Sequence, residues 1–296
     1  MRNRKLGFWL GAFFFIFTLS IASTLEAQSL AVIPTKVRLS VLPGSLKSGT
    51  IKLENGSEAS VTVRVYLEDW QYDQTHTGTK EFKPAASLPL SCANWISFAP
   101  AEFTIPPFGR QIVGFTVNVP KDASGGYYAV LFFETALGKQ QRPGTSKEEG
   151  VTINVLGRVG TLFYIEPEGT IKKEVNLSNF KVARTESRLP LEITLDLENT
   201  GNIDITSGGT FHIMDNQGII YARNEFNDVY TFPGEKAKVK AGWKEPIPRG
   251  KYDLVITLDL GKALEELGLG RGPVLTKETE IEIGVDGSVV KVGELD

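Results

Sequence analysis

Between Ile33 and Leu67 apolar side chains fall on every second position, in short bursts: Val37, Leu39, Val41; Ile51, Leu53; Val61, Val63, Val65, Leu67. Successive side chains of an extended strand point to opposite faces, so this period leaves one face wet and one face to be buried. Such strands need a second sheet to cover them. Turn residues interrupt the bursts at Pro43-Gly44, Asn55-Gly56, Thr77-Gly78, Pro106-Pro107 and Gly125-Gly126, a rhythm that predicts an antiparallel sandwich. A helical period occurs over Lys262 to Leu269, where Ala263, Leu264 and Leu267 share a face and glycines stop the run within two turns.

The alternation continues through Trp95 to Phe98, Gln111 to Val119 and Tyr127 to Thr135, then breaks into charge, glycine and proline over Ala136 to Gly150, which predicts a long exposed loop. Val151, Ile153 and Val155 resume it, and the strand runs through Thr161 to Tyr164 toward a link at Glu166-Pro167-Glu168-Gly169. Beyond the link, Leu191, Ile193, Leu195 and Leu197 open a second series that ends with a strand over Thr279 to Ile283. The expected fold is therefore all-β: two immunoglobulin-like β-sandwich domains in tandem, over 28–165 and 166–284, with a polar tail over 285–296. Tyr252, after the turn Pro248-Arg249-Gly250, suits either a tyrosine corner or an ordinary core position.

Residues 1–27 read as a signal peptide: Arg2, Arg4 and Lys5 precede an apolar run from Leu6 to Ala22, and small residues follow. Cleavage after Ala27 is expected, with Ala22 a second site and an uncleaved anchor the competing reading. No later stretch reaches the roughly 20 apolar residues of a spanning helix, so no membrane span is expected after cleavage. The leader carries three positive charges against Glu26, so its removal takes the net charge from −3 to −5. That balance excludes an electrostatic footprint for nucleic acid. Cys92 is the single cysteine; no internal disulfide can form, and a buried apolar role is expected for it.

Motifs for chemistry are missing. The two histidines, His76 in a polar turn and His212 between Phe211 and Ile213, have no second ligand nearby in sequence. No Gly-x-Ser-x-Gly elbow, phosphate loop, dinucleotide fingerprint or paired-cysteine zinc motif occurs. Neither an enzyme nor a cofactor is expected. Asp69, Asp73 and Glu81 could flank a sugar as a glycosidase pair or serve as solvated charge. Trp70, Trp95 and Trp243 could form a sugar-stacking platform or simply pack.

Three segments of the first domain, in order, carry a family likeness: Val65-Tyr66-Leu67-Glu68-Asp69-Trp70, Phe98-Ala99-Pro100-Ala101-Glu102-Phe103-Thr104-Ile105, and Arg158 to Tyr164. Together they resemble the PapD-like periplasmic chaperones of pilus assembly. The resemblance implies two immunoglobulin-like domains set at an angle and a lent strand that completes a pilin-like subunit by β-augmentation. On it, Val151, Ile153 and Val155 would fill the partner's pockets, and Lys36 and Arg158 would anchor its terminal carboxylate. Parity directs Arg158 to the face opposite those three. The stretch Val119-Pro120-Lys121-Asp122-Ala123-Ser124-Gly125-Gly126-Tyr127-Tyr128 is instead similar to the peptidoglycan-binding domain of WxL-associated surface proteins. The leading expectation is an exported, periplasmic chaperone-like assembly factor for a secreted or pilin-like subunit. The alternative is a cell-envelope module that binds a cell-wall component or another surface protein.

Overall fold

The computed structural model describes residues 29–142, 151–183, 191–262 and 272–296, with the backbone alone for 138–142 and 151–154. Two β-sandwiches follow one another, as the alternation requires. The first contains β1 (Leu30–Ile33), β2 (Lys36–Val41), β3 (Leu46–Asn55), β4 (Val61–Tyr72), β5 (Lys80–Pro84), β6 (Ile96–Ala99), β7 (Glu102–Ile105), β8 (Arg110–Asn118), β9 (Tyr127–Arg142) and β10 (Val151–Pro167). One sheet has the order β1-β3-β8-β6; the other has β2-β10-β9-β4-β5, with β7 also on β4. Ile51, Leu53, Val63, Val113, Leu131, Phe133, Phe163 and Ile165 meet between them, all buried. The chain changes sheets at Pro34-Thr35: β1 pairs antiparallel with β3, while β2 runs parallel to β10. Pro34 lacks the N–H that would continue β1.

The second sandwich contains β11 (Val175–Ala183), β12 (Leu191–Asn199), β13 (Ile205–Met214), β14 (Ile220–Thr231), β15 (Lys236–Trp243), β16 (Gly250–Asp259), β17 (Val274–Ile283) and β18 (Val289–Val292). A three-stranded sheet β11-β12-β15 covers a five-stranded sheet β14-β13-β16-β17-β18. Leu191, Ile193, Leu195 and Leu197 line its core at the period read in the sequence. The segment expected as a polar tail differs: β18 pairs antiparallel with β17, and Val289, Val292 and Leu295 pack on the core. Three apolar side chains outweigh the charged residues between them once a neighbouring edge is there to pair with. The helical window over 262–269 lies, after Lys262, outside the described residues, as do the leader and residues 143–150 of the predicted loop, while Ala136 to Arg142, expected in that loop, are strand β9 paired with β10.

Both domains close an equivalent turn with a buried asparagine. Asn55 Nδ2 donates to Ala59 O (2.8 Å) and Pro106 O (3.0 Å), and its Oδ1 accepts from Ser57 N–H. Asn199 Nδ2 donates to Ile203 O (2.9 Å) and Thr231 O (3.3 Å), and its Oδ1 accepts from Gly201 N–H. Asn55 and Asn199 thus serve turn chemistry. Tyr252 resolves to a tyrosine corner, its hydroxyl donating to Pro248 O at 2.7 Å.

Candidate functional site

β9 and β10 form a hairpin longer than the sandwich that carries it. β4 covers β9 only as far as Thr135, opposite Val63, and β2 covers β10 only from Leu162 to Pro167. From Val151 to Thr161, no strand among the described residues pairs with the second side of β10. That side offers unpaired backbone donors and acceptors, the requirement for strand addition. β9 is open beyond Thr135 as well, but its sequence there includes Lys139 and Arg142, charges of the kind that guard an edge. Val151 to Leu156 has none. A bulge between Val155 and Leu156 leaves Leu137 as the extra residue of β9 and adds twist to the ribbon.

Along β10 the core-facing parity is that of Ile165 and Phe163, both buried, then Val159, 38% exposed. Val155 continues this row, and Val151 and Ile153 share its parity in the sequence. Leu156 and Leu137, 58% and 45% exposed, add apolar surface at the same place.

Arg158 has the opposite parity, as predicted, and is already engaged. Its guanidinium lies 4.0 Å from the centroid of Phe132 and 5.3 Å from that of Phe82. Nη1 donates to Glu68 Oε1 at 2.9 Å and to Tyr66 Oη at 3.3 Å. Lys36 stands opposite Leu162 on the same face, four residues along β10 from Arg158, or about 13 Å of strand. The two share a face without converging on one point.

The basic residue of β2 that the structure buries is Arg38, which the sequence reading passed over. Its guanidinium pairs with Glu166 on β10 and, at 3.0 Å, with Asp204 of the second domain. It also sits 4.4 Å from the ring centroid of Tyr164. Burial alone would lower its pKa, but the adjacent charges of Asp204 and then Glu166 hold it above the ordinary arginine value. Nothing in the neighbouring sequence marks this role, because Asp204 lies 166 residues away.

Arg38 belongs to a joint between the domains. The outer face of the β10 sheet carries Trp70, Tyr72, Tyr128 and Tyr164, and Phe232 of the second domain closes over them. Trp70 stands 5.2 to 5.5 Å, centroid to centroid, from Tyr72, Tyr128, Tyr164 and Phe232, while its Nε1 donates to Ala129 O. Tyr128 Oη donates to Asp204 Oδ1 at 3.1 Å and accepts from Asp204 N–H at 2.6 Å. At the tip of the β4–β5 hairpin, His76 O accepts from Tyr230 N–H at 3.0 Å, and its Nδ1 lies 3.1 Å from Tyr230 O. Gly126 N–H donates to Asn202 O, which places the Gly-Gly-Tyr-Tyr stretch at the joint.

Burial, followed by the charge of Asp204, holds both the Tyr72 and Tyr128 phenols well above their ordinary value of 10.0. A proton retained in the fold but lost from the unfolded chain stabilises the fold fully only below the unfolded pKa, and that contribution falls as pH rises further. The melting temperature is therefore expected to decline from about pH 10 upward. The slope should be shallower in Tyr128→Phe, read by calorimetry between pH 9 and 11.5.

The tryptophans do not form a platform. Trp70 is in the joint, Trp95 packs on Tyr127 and the first core, and Trp243 packs on the second core. Asp69 is buried, accepting from the N–H groups of Ala86, Ser87 and Leu88 and from Ser91 Oγ, so it organises a loop. Asp73 accepts from Thr75 within a hairpin turn. Cys92 is fully buried with a free thiol, which burial and then the Asp69 charge push well above the ordinary range. Among the described residues no group of three or more His, Cys, Asp and Glu could hold a metal, and no helix is long and apolar enough to cross a membrane.

No family model and no curated protein matches the chain. Solved structures similar to it include the class 5 fimbriae chaperone CfaA, at 12% identity over 84% of this chain and 98% of that one, with a TM-score of 0.46. The CsuC–CsuE chaperone-tip adhesion subunit pre-assembly complex of archaic Csu pili from Acinetobacter baumannii is similar at 12% identity over 84% and 97%, TM-score 0.41. The periplasmic chaperone SfaE is similar at 12% over 84% and 98%, TM-score 0.38.

Proposed function

We propose that this protein is an exported, periplasmic assembly factor that holds a secreted, pilus-type subunit by adding β10 to the subunit's incomplete sheet. The observation that carries the reading is the open side of β10 from Val151 to Thr161, uncharged up to Arg158, with an apolar row running out of the sandwich. A partner strand laid along it satisfies the exposed backbone groups, and Val151, Ile153 and Val155 enter the partner's core. Arg158 then takes the partner's terminal carboxylate in exchange for Glu68, with Lys36 a second positive charge on the same face. The joint between the domains sets the angle at which the second domain meets the captured subunit.

Co-expression with candidate secreted subunits is expected to yield a one-to-one complex. Ile153→Asp puts a charge where the partner core is apolar and should weaken capture by at least about a hundredfold, with unchanged circular dichroism. Arg158→Ala should weaken it by about tenfold or more. A complex that survives both substitutions overturns the edge-strand reading. Retention on purified cell wall, unaffected by either, would favour an envelope-binding module.

A further inference from the structure

On the opposite flank of the same sheet, beside β4 and the loop after β5, the joint leaves a cavity of about 300 Å³ open to one side. Its walls include Trp70, Leu88, Leu90 and Tyr128 from the first domain, and Phe232 and Glu235 from the second. The volume lies at the lower end of the range for small-molecule sites. The composition is more informative than the size. Aromatic and aliphatic groups make most of the wall, and Glu235 is its one charged residue.

Glu235 Oε2 accepts from Phe232 N–H at 2.7 Å, and His76 Nδ1 is 3.7 Å from the same oxygen. A carboxylate accepts more bonds than this one, and the side chain is 33% exposed, so it keeps capacity toward the opening. Aromatic faces attract cations, and the Trp70 ring of this wall already has the Lys80 ammonium 5.8 Å from its centroid. A ligand suited to both features has an apolar body and a positive head. We propose that this cavity binds a small organic cation, a primary amine carried on an aromatic ring, independently of β10. Strand β10 contributes no residue to the cavity wall. Because the walls come from both domains, an occupant also braces the joint.

Phenethylamine is the probe, with phenethyl alcohol and 3-phenylpropionate as neutral and anionic analogues, titrated into the full chain with ligand-observed NMR. The amine is expected to saturate with a Kd of order 1 mM, consistent with a ligand of about nine heavy atoms. The alcohol should bind about three- to tenfold more weakly, and the carboxylate more weakly still. Glu235→Gln preserves an acceptor for Phe232 N–H and should erase the preference for the amine. Leu88→Trp fills the cavity and should abolish binding of all three, with the fold checked by circular dichroism. Equal affinity for amine and carboxylate, an amine preference that survives Glu235→Gln, binding that survives Leu88→Trp, or no saturation by any probe overturns the proposal.

Discussion

Asp204→Ala is expected to destabilise the protein by about 3–5 kcal/mol, the range for breaking a buried ion pair from one side. The Arg38 and Asp204 side chains are only 7% and 2% exposed, so little solvent screening reduces the effect. Arg38 would retain Glu166, but it would lose the Nη2 contact at 3.0 Å, and Tyr128 Oη would lose its acceptor. Arg38 Nε has no hydrogen-bond partner among the described residues, so the guanidinium is already short of acceptors. Thermal melts should show a drop of roughly 10 °C, and with a two-domain chain the loss can appear as two separated transitions. The triple substitution Arg38→Met/Glu166→Gln/Asp204→Leu should be less damaging than Asp204→Ala, because removing all three charges leaves none uncompensated. A triple variant as unstable as the single one would show that its charge pairing is not what Asp204 contributes.

Trp70→Ala is expected to cost a similar amount, about 3–5 kcal/mol, through lost burial and the cavity left behind. Trp70 is 1% exposed and touches rings from three strands of its own sheet and from Phe232 across the joint. Its loss therefore acts on the first domain and on the contact between domains together. Trp95→Ala, confined to the first core and only partly buried, should cost less and leave the joint intact. Limited proteolysis of the 168–174 link distinguishes the two: cleavage should accelerate in Trp70→Ala and not in Trp95→Ala. If both variants melt alike and resist cleavage alike, Trp70 is an ordinary core residue of one domain.

Much of the fold was legible because strand periodicity is a local property. Leu191, Ile193, Leu195 and Leu197 announce a buried face from their own spacing, and the structure buries all four. The five turn pairs of the first domain each fall at a strand end or between strands for the same reason. Parity likewise put Arg158 on the face opposite Val155 before any pairing was known, since the β-bulge places its extra residue, Leu137, on β9 and leaves the alternation of β10 intact.

What the sequence could not contain is anything that depends on which distant segments meet. Whether β10 has a free side follows from where β2 stops pairing, in a segment more than 120 residues earlier in the chain. Trp70, Trp95 and Trp243 look alike as letters, and only the packing of two sheets and two domains separates a joint residue from core residues. Arg38 and Lys36 are two residues apart on one strand face, yet Asp204 and Glu166 make Arg38 a buried structural cation. The tail became β18 because β17 offered it an edge. Alternation by itself determined that this chain builds two-layered β-domains, since it demands that one face of each strand be covered. Tertiary structure alone decided which edge was left uncovered, because an open edge is defined by the strands that fail to reach it.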